Sequence, residues 1–125
     1  MDKIQNIFLP QITDNKGKIT FIEQMNHIPF GIKKVLLYYD LRCDEIIISS
    51  ANKESYLLFI ALSGSFEVTV NKGNKTEKNS LYRPNNGLLV YGTGLLSLNK
   101  FSTNSVLMVL TSEVNDLNIQ IKKTT

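Results

Sequence analysis

Apolar and polar positions alternate with a period of two along much of the chain, in short runs separated by clusters of Gly, Asn, Asp, Ser and Pro. The clearest run is SFEVTVNKGNKTEKN, where Phe66, Val68 and Val70 alternate with Glu67, Thr69 and Asn71. That is the pattern of a strand with one buried and one wet face. Its NKGNK segment carries the glycine and asparagines of a tight hairpin turn. YLLFIALSG is apolar at consecutive positions, which predicts a central strand covered from both sides and ended by Gly64. GLLVYGTGLLSLNKF holds two apolar stretches split by Gly92 and Gly94, SVLMVLTS makes another strand, and KITFIEQ and KKVLLYYDL complete the set. EIIISSANKESY, from Glu45 to Tyr56, reads as a strand running into a polar bend. No helical period is visible before the C-terminal tail. About eight or nine strands joined by hairpins predict an all-β jelly roll or cupin-type barrel, two sheets enclosing a small pocket at one end.

A length of 125 residues suits one domain, residues 1–125, with a core large enough to need neither disulfides nor metal. Lysine and arginine exceed acidic residues by 14 to 11, and the lysines are scattered, so the surface is mildly basic and carries no nucleic-acid footprint. A single cysteine, Cys43, forbids an intrachain disulfide. The N-terminal stretch lacks the apolar core of a secretion signal, and no apolar run reaches the length of a membrane span. These features predict a soluble, cytoplasmic protein without nucleic-acid or membrane partners.

TDNKGKITFIEQMNHIPFGIKKVLLYYDL resembles the opening of the cupin-fold nucleotide-sugar 3,4-ketoisomerases, which move a keto group between C4 and C3 of a dTDP-linked 6-deoxyhexose. The resemblance is carried by an Asp-x-(Arg/Lys)-Gly turn at Asp14, Lys16 and Gly17, by Glu23, by the triplet Ile28, Pro29 and Phe30, and by the pair Lys33 and Lys34 leading a strand. It continues through LSGSFEVTVNKGN and RPNNGLLVYGTGLLSLNKFSTNSVLMVLTSEVND, and so covers nearly the whole chain. It implies a single cupin (RmlC-like jelly-roll β-barrel) domain and, as family members pair through sheet edges, a homodimer.

The family's chemistry does not carry over residue by residue. Where the resemblance places Arg-Gly-x-His-Ala-His-Lys, this chain has Ile47, Ile48, Ser49, Ser50, Ala51, Asn52 and Lys53. Both histidine positions, Ser50 and Asn52, lack an imidazole. The family's following glutamate falls on Tyr56, and its Trp-His pair on Leu95 and Leu96. A keto shift needs a base to take a proton at C3 and a group to return one at C4, work suited to a side chain that titrates near neutral pH. A serine hydroxyl without an activating base cannot do it, and a carboxamide does not titrate.

The sole histidine, His27, falls in a loop before Ile28, and Cys43 has no partner histidine, so each reads as structural. One histidine cannot build a cupin metal site, and Asp40, Asp44 and Glu45 read as a solvated rim; the expectation is no catalytic residue of the family type, no metal and no cofactor. Ser50 and Asn52, two apart and so on one face of a strand, are joined by Tyr38, Tyr56 and Asn99 as candidates to line a pocket for a nucleotide-linked sugar. Three functions follow. The chain is a non-catalytic ketoisomerase-like cupin that binds a sugar, a nucleotide-sugar or a protein partner in surface-polysaccharide biosynthesis; or an active isomerase with a substituted proton relay; or a structural subunit.

Overall fold

The computed structural model of the protein describes residues 3–72, 74–114 and 117–123. Twelve strands follow in order: β1 (Lys3–Phe8), β2 (Gln11–Asp14), β3 (Gly17–Thr20), β4 (Lys34–Tyr38), β5 (Glu45–Ser50), β6 (Tyr56–Ser63), β7 (Phe66–Lys72), β8 (Lys75–Leu81), β9 (Asn86–Tyr91), β10 (Gly94–Asn99), β11 (Val106–Thr111) and β12 (Leu117–Lys122). They form two five-stranded antiparallel sheets, β1-β9-β6-β11-β4 and β12-β5-β10-β7-β8, and a separate hairpin, β2-β3. This is the all-β, cupin-type architecture predicted from the pattern. No helix long and apolar enough to cross a membrane occurs among the described residues.

The inward faces of the two sheets meet in one apolar cluster. Ile46 and Ile48 of β5, Leu57 and Phe59 of β6, Val68 and Val70 of β7, Leu96 and Leu98 of β10, and Leu107 and Val109 of β11 are all buried in it. Each such side chain contributes about 1.5–3 kcal/mol by leaving water. The second sheet keeps a mostly polar outer face, with Ile47 and Leu95 as its apolar exceptions, and β5 and β7 alternate between buried and outer positions. The first sheet is covered outside as well: Leu9, Ile28 and Phe30 from the N-terminal segment pack on Leu58, Ile60, Leu89 and Leu110 in a second cluster. That cover explains the unbroken apolar run of β6, which lies centrally between β9 and β11.

Two glycines are required by the backbone. Gly64 ends β6 at φ 69°, and a Cβ there would lie 2.9 Å from the Ser105 Cα. Gly92, at φ 108°, turns the chain from β9 into β10. Gly73 of the predicted β7–β8 turn lies outside the described residues.

The strand count exceeds the expected eight or nine because β1, β2 and β12 were not anticipated. β1 and β2 are polar-rich and largely exposed, so neither offers a clean alternation. β12 does alternate, with Leu117 and Ile119 packed on the core, but it is an edge strand with an exposed far end. The KITFIEQ strand is shorter than predicted: β3 stops at Thr20, and Phe21 to Glu23 leave the ladder.

Candidate functional site

Alternation along β5 turns Ile46, Ile48 and Ser50 inward, so Ser50 is the polar residue at the inner rim of the barrel, 5% exposed. Its neighbours across the ladder are Gly94 of β10 and Leu117 of β12. β5 ends there because Asn52 closes a local turn, its Oδ1 accepting from the Glu54 amide at 2.9 Å. The Ser50 hydroxyl is 2.6 Å from that of Ser55, which donates to the Asn52 carbonyl at 2.9 Å. The bend is held on its far side by the β9–β10 turn, where the Gly92 amide donates to the Ser55 carbonyl at 3.0 Å.

The third wall of this rim comes from the end of β11. The Asn52 side-chain amide donates to the Glu113 carboxylate at 2.8 Å, and the Val114 amide donates to its other oxygen at 3.1 Å. Glu113 is 7% exposed. Its own amide donates to the Thr111 hydroxyl at 2.9 Å, and that hydroxyl donates to the Tyr56 carbonyl at 2.7 Å. Ser112 completes the stitch by accepting from the Tyr56 amide at 3.0 Å. The result is a closed polar knot in which buried groups satisfy one another.

Of the five pocket candidates, only Ser50 and Asn52 come together, and not as two positions on one strand face: β5 stops at Ser50, and Asn52 reaches its place through the turn. Tyr56 turns outward, because Leu57 beside it faces the core; its ring stacks on Phe30 at 5.2 Å and tilts against Tyr91 at 4.4 Å. Asn99 also faces outward, since Leu96 and Leu98 take the inward positions of β10. It lies between Glu45 and Glu67 in the ladder, and its Nδ2 donates to the Ser97 hydroxyl at 3.3 Å. Tyr38 does pack on the inner cluster, but opposite Leu107, which pairs on its other side with Ala61, toward the end of the barrel away from Ser50. Burial pushes its hydroxyl pKa up.

Of the two residues that the sequence resemblance sets against a Trp-His pair, Leu95 faces outward and Leu96 is fully buried in the core. His27 closes a turn outside the barrel: its Nδ1 accepts from the Glu23 amide at 2.9 Å, and its ring meets Phe21 edge-on at 5.4 Å. Burial raises the Cys43 thiol pKa, a backbone hydrogen bond opposes that rise, and the charge of Asp44 adds to it. Glu45 accepts from the Ser97 hydroxyl. Among the described residues no three His, Cys, Asp or Glu side chains converge as metal ligands.

Glu113 was missed by sequence reasoning. It stands 61 residues from Asn52 and carries no local motif, so only strand pairing reveals it. Open space of ligand size lies outside the barrel: a groove of about 660 Å³ between the β2-β3 hairpin and the outer face of the first sheet, and a cleft of about 540 Å³ between the loops at Tyr39–Cys43 and Phe101–Val106.

Comparison with known proteins agrees with the architecture. The family described as WxcM-like, C-terminal (FdtA) matches residues 2–123. The chain is 32% identical over 106 residues to the TDP-4-oxo-6-deoxy-alpha-D-glucose-3,4-oxoisomerase of Aneurinibacillus thermoaerophilus, covering 85% of this chain and 76% of that protein. The crystal structure of the WlaRB TDP-quinovose 3,4-ketoisomerase from Campylobacter jejuni superposes with a TM-score of 0.83 at 28% identity, covering 93% of this chain and 89% of the other. A histidine-to-asparagine variant of the 3,4-ketoisomerase QdtA from Thermoanaerobacterium thermosaccharolyticum, in complex with TDP-4-keto-6-deoxyglucose, superposes with a TM-score of 0.82 at 27% identity, covering 92% and 86%.

Proposed function

Because this chain belongs to the WxcM-like, C-terminal (FdtA) family, we propose that it is a sugar 3,4-ketoisomerase-like cupin that does not carry out the keto shift and serves as a binding or partner module for nucleotide-linked sugars in surface-polysaccharide biosynthesis. The observation that carries this reading is the state of the inner rim: Ser50 is held to Ser55 at 2.6 Å, and Leu96 fills the core beside Ile48. A keto shift moves one proton off C3 and one onto C4 through an enediol, so it needs a group that changes protonation beside both carbons. A spent serine hydroxyl and a leucine cannot supply it.

Retention of ligand binding is supported by the QdtA complex, in which a protein with one histidine replaced by asparagine holds TDP-4-keto-6-deoxyglucose. Loss of an imidazole is therefore compatible with binding in that relative. The test follows the anomeric NMR signals of TDP-4-keto-6-deoxyglucose incubated with the purified chain. The spectrum is expected to stay unchanged over hours while the ligand raises the melting temperature; steady appearance of a new keto-sugar anomeric doublet would overturn the reading.

One observation favours an active enzyme with a substituted relay: a carboxylate, Glu113, sits 2.8 Å from Asn52 at the same rim. If turnover occurs, Glu113→Gln abolishes it. Pairing into a homodimer is supported by the exposed apolar residues Val35 and Leu37 on the edge strand β4. Light scattering at micromolar concentration tests that pairing, with a dimer expected and a monomer overturning it.

A further inference from the structure

The β2-β3 hairpin is turned the opposite way from what apolar burial alone would choose. Gln11 pairs with Thr20 and Thr13 with Lys18 on one face, while Ile12 pairs with Ile19 on the other. The isoleucines remain 58% and 62% exposed, whereas Gln11, Lys18 and Thr20 line the 660 Å³ groove above the outer face of the first sheet. A hairpin laid down only to cover that sheet would present its isoleucines to it.

The opposite wall is the loop after β8. The Asn86 amide donates to the Arg83 carbonyl at 3.2 Å and the Leu9 amide to the Asn85 carbonyl at 2.7 Å, which fixes the turn. The Arg83 guanidinium lies 5.3 Å from the centroid of the Tyr82 ring, a cation–π contact that holds it in place. Ile22, Leu62 and Met108 add apolar surface between the walls. Lys18 and Arg83 therefore line one groove as two cations. The salt bridge formed among the described residues joins Lys100 to Glu67, and neither Lys18 nor Arg83 takes part in it.

We propose that this groove is a binding site for an organic phosphate, with the phosphate between Lys18 and Arg83 and the uncharged part of the molecule on Ile22, Leu62 and Met108. Both side chains are exposed and line the same groove, so an anion held there meets two cations. A guanidinium and an ammonium together suit phosphate oxygens, the first as a fork of donors and the second as a point charge. The volume lies in the range of small-molecule sites, and the short basic pair is too small for a nucleic-acid strand. The site lies outside the barrel, away from the Ser50 rim, and its ligand binds whether or not the keto shift takes place.

The test is a titration of the full chain followed by amide NMR, with α-D-glucose 1-phosphate, thymidine diphosphate, inorganic phosphate and glucose as probes. Either organic phosphate is expected to move the amide signals of residues 18–22, Arg83 and Asn85, and glucose is expected to leave them in place. Lys18→Gln and Arg83→Gln should each weaken binding about tenfold, the loss of one charge-assisted hydrogen bond. Leu62→Ala should weaken the organic phosphates and leave inorganic phosphate unaffected. The proposal is overturned if no probe moves these signals, if movement is confined to Ser50–Ser55, or if the doubly substituted chain binds as the natural one does. Because both cations are on the surface, the variants keep the dispersed spectrum of the folded chain.

Discussion

The inner rim at Ser50 and the outer groove at Lys18 and Arg83 each gather polar side chains and put them to opposite uses. At the rim, hydroxyls, an amide and a carboxylate are turned on one another and on backbone groups, with Ser50 bonded to Ser55 and Asn52 to Glu113. In the groove, two cations face open space over an apolar floor. The contrast teaches that a polar group's residue type says little about function until its partners are known. Groups satisfied internally hold the fold, and groups left facing solvent-sized space can recognise a ligand.

The sharpest way to break this contrast is at Glu113. Glu113→Ala strands the Asn52 amide and the Val114 N–H inside the knot, and should cost about 3 kcal/mol in urea unfolding. A loss under about 0.5 kcal/mol would show that the rim is not an interlocked network. Ser55→Ala removes a hydroxyl that serves both Ser50 and the Asn52 carbonyl, and the expected loss is about 1–2 kcal/mol by the same measurement.

The opposite end of the barrel provides a pH-dependent reference. Burial raises Tyr38 above 10.0 and Cys43 above 9.0, so both groups ionise first in the unfolded chain. Between the unfolded and folded values the unfolded chain binds fewer protons, and stability falls as pH rises; below the unfolded values the full contribution is present. Urea midpoints should therefore decline above about pH 9, and Tyr38→Phe should flatten the part of the decline that begins near pH 10. A midpoint independent of pH across that range would show that neither group is desolvated. The smallest effect belongs to the groove: Lys18→Gln with Arg83→Gln should leave unfolding within about 0.5 kcal/mol of the natural chain. A large loss there would mean that the cations hold the fold, and the contrast with the rim would collapse.

Several features of the fold are legible in the sequence itself. The alternation of Phe66, Val68 and Val70 and the continuous apolar run from Leu57 to Ala61 correctly distinguish a strand with one wet face from one covered on both sides. Such patterns are local, because a strand's side-chain direction repeats every two residues. The blocks shared with the ketoisomerases and the absence of an imidazole at Ser50 and Asn52 are likewise legible in one dimension.

The grouping of the candidate residues was not. Tyr56 and Asn99 left the barrel because one-residue parity decides which face a side chain takes, and their neighbours Leu57 and Leu98 occupy the core. Asn52 reached Glu113, and Lys18 came to share a groove with Arg83, through strand pairing and loop placement across long sequence separations. The chain's own pattern determined the clearly alternating and the continuously apolar strands, and which residues stand at positions 50 and 52, since those depend on period and identity alone. Which polar groups meet, and which are left facing a groove, was decided by long-range register and packing, and these exist only once the sheets have closed on their core.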